Sequence, residues 1–98
     1  MSERGTGPSQ AARRLEIRNL LGLHARAAAL VVQTVARFEA EITVTKDDQT
    51  VNGKSILGLM MLAAGQGSSI DVAAQGPDAQ EALDALAALV EAKFNEDA

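Results

Sequence analysis

The sequence has no cysteine, no tryptophan and no tyrosine, and only one histidine. Without cysteine, disulfides and thiolate metal sites are excluded. A lone histidine also rules out a histidine-rich metal centre, so no metal and no bound cofactor are expected. The aromatics are limited to Phe38 and Phe94, too few to stack a run of nucleic-acid bases. No stretch approaches the roughly 18 to 20 apolar residues that a membrane span needs. Residues 1–14 also lack the apolar block of an export signal. A cytoplasmic protein with no membrane insertion is expected.

What is present is apolar bulk without rings. Hydrophobic residues make up 47% of 98 residues, enough for one domain with one core. That core must be built from Leu, Ile, Val, Met and many alanines, a composition that favours helix. The net charge is −4 and unevenly spread. Arg4, Arg13 and Arg14 against Glu3 give the first 14 residues +2, leaving −6 for the other 84. An acidic domain is a poor match for a polyanion, so no nucleic-acid partner is expected.

Residues 1–12 lack periodicity and carry Gly5, Gly7 and Pro8, which reads as a flexible extension ahead of a domain at 13–98. Arg14 to Arg18 alternates polar and apolar, as a half-buried strand does. Asn19 to Gly22 reads as a loop, and Ala25 to Arg37 has helical spacing with Ala28, Val32 and Val35 on one face. Glu41 to Thr45 alternates again, and Lys46 to Gln49 turns into a short return strand at Thr50 to Asn52. Ile56 to Ala64 is apolar apart from Gly58 and is ended by Gly65-Gln66-Gly67. Ser69 to Ala73 is a further strand. Asp78 and Glu81 have capping-box spacing, opening a last helix in which Leu83, Leu86, Val90 and Phe94 recur to the end. The order β-α-β-β-α-β-α predicts an α+β open-faced sandwich. One four-stranded antiparallel sheet is covered on one face by three helices.

The chemistry-bearing segment is Gly22-Leu23-His24-Ala25-Arg26, at the junction of a loop and the first helix. Unpaired N–H groups and the dipole make a helix start attractive to anions. Arg26 adds a planar guanidinium donor, and an imidazole is a competent nucleophile near neutral pH. Spacing alone leaves two readings of His24 open: a helix cap on the surface, or a nucleophile whose adduct is an anion. Ser55 is similarly divided between an N-cap before an apolar helix and a modification site. Gly53-Lys54-Ser55 is not a P-loop, because the glycine required five residues before Gly53 is Asp48. Asp47-Asp48 and Glu96-Asp97 read as solvated charges in a turn and at the terminus.

Two blocks extend this reading. Leu21-Gly22-Leu23-His24-Ala25-Arg26-Ala27-Ala28 resembles the active-site signature of the HPr family. These are the histidine-containing phosphocarriers of the bacterial phosphoenolpyruvate-dependent phosphotransferase system. Val51-Asn52-Gly53-Lys54-Ser55-Ile56-Leu57-Gly58-Leu59-Met60-Met61-Leu62-Ala63-Ala64 resembles the family's regulatory-serine segment. The resemblance spans about residues 13–95, with both blocks in register.

The resemblance implies a phosphoryl carrier for sugar uptake and its regulation, not an enzyme. By that resemblance His24 would be phosphorylated at Nδ1 by enzyme I and dephosphorylated by an enzyme IIA domain. Arg26 would neutralise the phosphoryl oxygens, and the N–H groups of Ala25 and Arg26 would cradle them. Ser55 would match the site used by a dedicated serine kinase/phosphorylase in some lineages. Ile56, Leu57 and Met60, beside Ala29, Gln33 and Arg26, contact the partners, and the chain is expected to be a monomer. Leu59 and Leu62 are expected inward, leaving Ile56, Leu57 and Met60 partly exposed. Ala27 departs from the family, which usually has proline there; alanine keeps an N–H and loosens the first helical turn. Two alternatives stand beside the main reading. One is a nitrogen-type paralogue in a regulatory phosphorelay without sugar transport. The other is a binding module controlled through Ser55.

Overall fold

The computed structural model describes residues 9–98. Strand β1 (Ser9–Glu16) leads to helix α1 (Ala25–Val35), the hairpin β2 (Glu41–Lys46) and β3 (Gln49–Asn52), and helix α2 (Ile56–Met61). Strand β4 (Ser69–Gly76), helix α3 (Ala79–Glu91) and a 3-10 turn at Lys93–Asn95 complete the chain. The sheet order is β1-β4-β2-β3, with every neighbouring pair antiparallel. The expected four-stranded antiparallel sheet under three helices is the fold observed.

Alternation puts Leu15, Ile42, Val44, Ile70, Val72 and Ala74 on the covered face, all buried. Their neighbours Ala12, Arg14, Thr43, Asp71 and Ala73 lie exposed on the other face. Helix α1 lies between α2 and α3, and α3 packs on β1 and β4. The buried side of α1 is Ala27, Ala28, Val31 and Val35, with Val32 at its margin, partly buried. Helix α2 turns Leu59 and Leu62 inward, as expected, and α3 contributes Leu83, Leu86 and Val90.

Strand β1 begins at Ser9, ahead of the expected Arg14, and pairs with β4 from Ser9↔Gly76 to Glu16↔Ser69. Residues 9–12, read as extension, are therefore strand; the rest of that reading, residues 1–8, lies outside the described residues. Ala11 and Ala12 hid the alternation, since alanine carries little polarity contrast between faces. Ile17, just past the strand, is fully buried and tied through backbone bonds to Ser68 and Gly67.

Two helix ends also differ from expectation. The Asp78 carboxylate makes no cap bond to α3. It instead accepts the backbone N–H groups of Glu39 and Ala40 at 2.9 and 2.8 Å, and these bonds hold its carboxyl below the usual carboxylate range. Helix α3 stops at Glu91, and Lys93, Phe94 and Asn95 all take left-handed backbone (φ 57°, 54° and 64°). Each such non-glycine residue costs about 1 to 2 kcal/mol. Phe94, fully buried, repays part of that through core packing.

Helix α2 ends three residues before the apolar run does, because Ala63 adopts φ 51°. Position C′ of a helix favours glycine in that conformation. Ala63→Gly is therefore expected to stabilise the domain by roughly 0.5 to 1 kcal/mol. Thermal unfolding should show this as a rise of about 2 to 6 °C in Tm.

Candidate functional site

The site begins with a loop that has little freedom. Asn19 is fully buried, and its Nδ2 donates to the Gly22 carbonyl at 2.8 Å. Gly22 has φ +70°, and a Cβ there would lie 2.5 Å from the Ala64 carbonyl oxygen. That proximity lets Leu23 N–H bond the same Ala64 oxygen at 2.8 Å. The loop before α1 is thus docked on the segment that follows α2.

His24 is the N-cap of α1, with extended backbone (φ −80°, ψ −177°). Its carbonyl accepts Ala28 N–H at 2.8 Å, the first bond of the helix. Its ring Nδ1 accepts Arg26 N–H at 3.3 Å, replacing the oxygen that a serine or aspartate cap supplies. On the other side of the ring, Nε2 lies 2.6 Å from Glu96 Oε2. With Nδ1 accepting, the hydrogen-bond network assigns the proton to Nε2, which donates to the carboxylate. The His24 side chain is 28% exposed and that of Glu96 only 10%.

Glu96 corrects the reading of that terminal pair as solvated. The left-handed turn brings it back to the loop, where its Oε1 also accepts Asn19 Nδ2 at 3.0 Å. The His24 bond, the Asn19 bond and the nearby Arg26 charge hold its carboxyl below the usual range against the opposing effect of burial. The last residue is tied in as well, since Leu20 N–H donates to the Ala98 carbonyl at 3.0 Å. Spacing carried no sign of this contact, because 72 residues separate Glu96 from His24.

The other expected residues fall into three groups. Arg26 is exposed, and its guanidinium has no hydrogen bond or ion pair among the described residues. Ala25 is exposed at the first helical position, while Ala27 packs fully buried in the first turn. Ser55 caps α2, its Oγ accepting Gly58 N–H at 3.0 Å. Ile56, Leu57 and Met60 are exposed apolar side chains, as expected, and Met61, Leu20 and Leu21 join them. On α1, Ala29 is half-buried and Gln33 exposed. The Leu20-Leu21 pair, inside a loop, was the signal that sequence reading passed over.

His24 opens on a shallow depression lined by Leu21, Leu23, Ala63, Ala64 and Gly65. Among the described residues no three His, Cys, Asp or Glu side chains gather as metal ligands. None of the described helices is long and apolar enough to cross a membrane. The sandwich presents one imidazole at a helix start, open to a shallow depression.

Comparison with known proteins identifies the family. The family model described as "PTS HPr component phosphorylation site" matches residues 11–92. The phosphocarrier protein HPr of Neisseria meningitidis serogroup A is 51% identical over 82 residues, covering 84% of this chain and 92% of that protein. Phosphocarrier protein NPr of Shewanella violacea is 46% identical, covering 86% and 92%. A crystal structure of HPr from Thermoanaerobacter tengcongensis superposes with a TM-score of 0.86 at 46% identity, covering 90% of this chain and 99% of that one. The chain belongs to the HPr family, and is a phosphocarrier of the phosphotransferase system, not a catalyst.

Because Gly22 holds positive φ against a backbone oxygen, Gly22→Ala is expected to destabilise the domain by about 2 kcal/mol. Denaturant unfolding measures that loss. The His24 ring resonances should shift at the same time, because the displaced loop carries the cap.

Proposed function

We infer that His24 is the phosphoryl acceptor and that Nδ1 is the atom that carries the group. The observation behind this reading is the opposed hydrogen bonding of the ring, with Nε2 engaged by Glu96 and Nδ1 facing the first amides of α1. A phosphoryl group on Nδ1 would take the place of that weak 3.3 Å contact. It would lie against the N–H groups of Ala25 and Arg26 and the positive end of the helix. The unengaged Arg26 guanidinium can swing to its oxygens as a bidentate donor.

The phosphoryl donor in this reading is enzyme I and the acceptor an enzyme IIA domain, both meeting the protein in the cytoplasm. Ile56, Leu57 and Met60, together with Ala29 and Gln33, form the contact surface. Exposed methionine suits partners that must dock in turn. The same site serves a nitrogen-type relay equally well, and the similarity to an NPr keeps that second reading open. Transfer to a sugar-type or to a regulatory enzyme IIA separates the two. Of the expected extension at 1–12, residues 9–12 pair in β1, and the domain expected from 13 takes them in.

Incubation with enzyme I and labelled phosphoenolpyruvate is expected to give an acid-labile, base-stable phosphate on the wild type and none on His24→Ala. Label persisting on His24→Ala would sink the assignment. Arg26→Ala should keep its fold and transfer about tenfold more slowly or worse, the loss expected for one charge-assisted bond. An unchanged rate would remove its role.

Ser55 is proposed as the regulatory phosphorylation site of a serine kinase/phosphorylase. Its hydroxyl sits at the N-terminus of α2 beside the exposed Ile56 and Leu57, so a phosphate there places about −1.5 to −2 charges next to the contact surface. Ser55→Asp should leave Tm within roughly 2 °C, since aspartate also caps helices, and should weaken binding to enzyme I. Equal affinity by calorimetry would leave Ser55 as a cap alone.

A further inference from the structure

After α3 the chain runs through three successive left-handed residues, Lys93, Phe94 and Asn95, a path that L side chains avoid. Its outcome is the return of Glu96 to the imidazole at 2.6 Å. Two further bonds hold the returning segment, Asn19 Nδ2 to Glu96 and Leu20 N–H to Ala98. The carboxylate is therefore gripped by one donor on each oxygen and cannot easily turn away.

We propose that Glu96 is a positioning residue for phosphoryl carriage: it keeps the His24 proton on Nε2 through acceptance and donation alike. The proposal rests on His24 being the acceptor. During acceptance the Nδ1 lone pair forms the new N–P bond, while the bond from phosphorus to the donor atom breaks and leaves its pair with the donor. The ring, still protonated at Nε2, then carries a positive charge, and the Glu96 carboxylate is its counter-ion. During donation the N–P pair returns to Nδ1 and the ring is neutral again, its Nε2 proton in place. A bare Nε2 would instead require imidazolate as the leaving group, which is far less stable than imidazole. Glu96 thus serves both halves of the cycle without exchanging a proton itself.

The charged groups near the ring are few. Among the described residues Arg26 approaches from α1 and Glu96 from the segment after α3. The segment facing the ring from beyond α2, Ala63 to Gly65, and the loop residues Leu21 and Leu23 have no titratable side chain. Arg26 disfavours a ring cation and Glu96 favours it, so the carboxylate is the one side chain placed to hold that charge.

The first test needs no variant. Ring 15N shifts of the unphosphorylated wild type above neutral pH should show a protonated Nε2 and a bare Nδ1; the opposite tautomer overturns the proposal. For the second, wild type, Glu96→Gln and Glu96→Ala are phosphorylated by enzyme I and phosphoenolpyruvate, then isolated. Donation back to enzyme I, with pyruvate as final acceptor, is followed from roughly pH 5 to 9. The variants should match the wild type on the acid side. Their alkaline loss of rate should set in about one pH unit lower, making donation about tenfold slower beyond it. A folded variant whose alkaline limb coincides with that of the wild type makes Glu96 a structural clip and refutes the proposal. A wild type that takes no label refutes the reading of His24 instead, so the two failures are distinct.

Discussion

Among the described residues Asn19 is the one polar side chain with no exposure, and the geometry around His24 depends on it. An amide sealed from water needs partners, because an unpaired buried donor costs about 1 to 3 kcal/mol. Nδ2 has two, the Gly22 carbonyl three residues ahead and the Glu96 carboxylate 77 residues away. The first bond closes the loop in which Gly22 takes positive φ. The second fastens the end of the chain to that loop. Oδ1 has no protein partner, so the nitrogen alone sets the orientation of the side chain. Through this amide a local turn and a remote terminus are joined, and the imidazole lies between them.

The scarcity of aromatics has a structural counterpart. Ala27, Ala28, Ala79, Ala82 and Ala87 are all buried, so small side chains share the inner faces of α1 and α3 with Val31, Val35, Leu83, Leu86 and Val90. Close-packed interiors respond to a change of even one methylene, and Ala27 belongs to the first turn of α1. Burial of its methyl seats the turn that presents the amides of Ala25 and Arg26. The missing proline would have fixed φ covalently; here packing holds the turn instead, and an N–H is retained.

Much of this was legible in the sequence, and the illegible parts share a cause. Alternation located β2 and β4, and helical spacing located α1 and α3, because those elements have one buried and one exposed side. Gly22-Leu23-His24-Ala25-Arg26 placed the histidine at a helix start from local signals alone. The start of β1 escaped because Ala11 and Ala12 carry little contrast. The end of α2 escaped because Ala63 occupies a conformation that usually selects glycine. Asp78 had the spacing of a cap, and its carboxylate serves a loop from another part of the chain. Glu96 is the clearest case: its contact with His24 exists only after three residues adopt left-handed backbone, and no periodicity encodes that. Contacts between neighbours in sequence could be read, while contacts made by chain reversal could not.

The proposed role of His24 as phosphoryl acceptor accounts for its shallow setting. Donor and acceptor compete for the same group, so the phosphoryl must be worth nearly as much on this protein as on either. Every 1.4 kcal/mol of extra grip shifts that balance tenfold, and a hydrogen bond to a charged group contributes about 1.5 to 3 kcal/mol. Two surplus bonds in a closed pocket would shift the equilibrium by a hundredfold or much more, and the carrier would become a trap. His24 is instead partly exposed, with the exposed Arg26 at one side and helix amides at the other. Both are strong enough to favour an anion, and water can replace both. The buried, rigid part of the site is on the opposite edge of the ring, where Glu96 bonds Nε2 and Asn19 in turn holds Glu96. On the proposed role, the rigid edge of the ring fixes the orientation and proton of the imidazole, and the open edge is left to the phosphoryl.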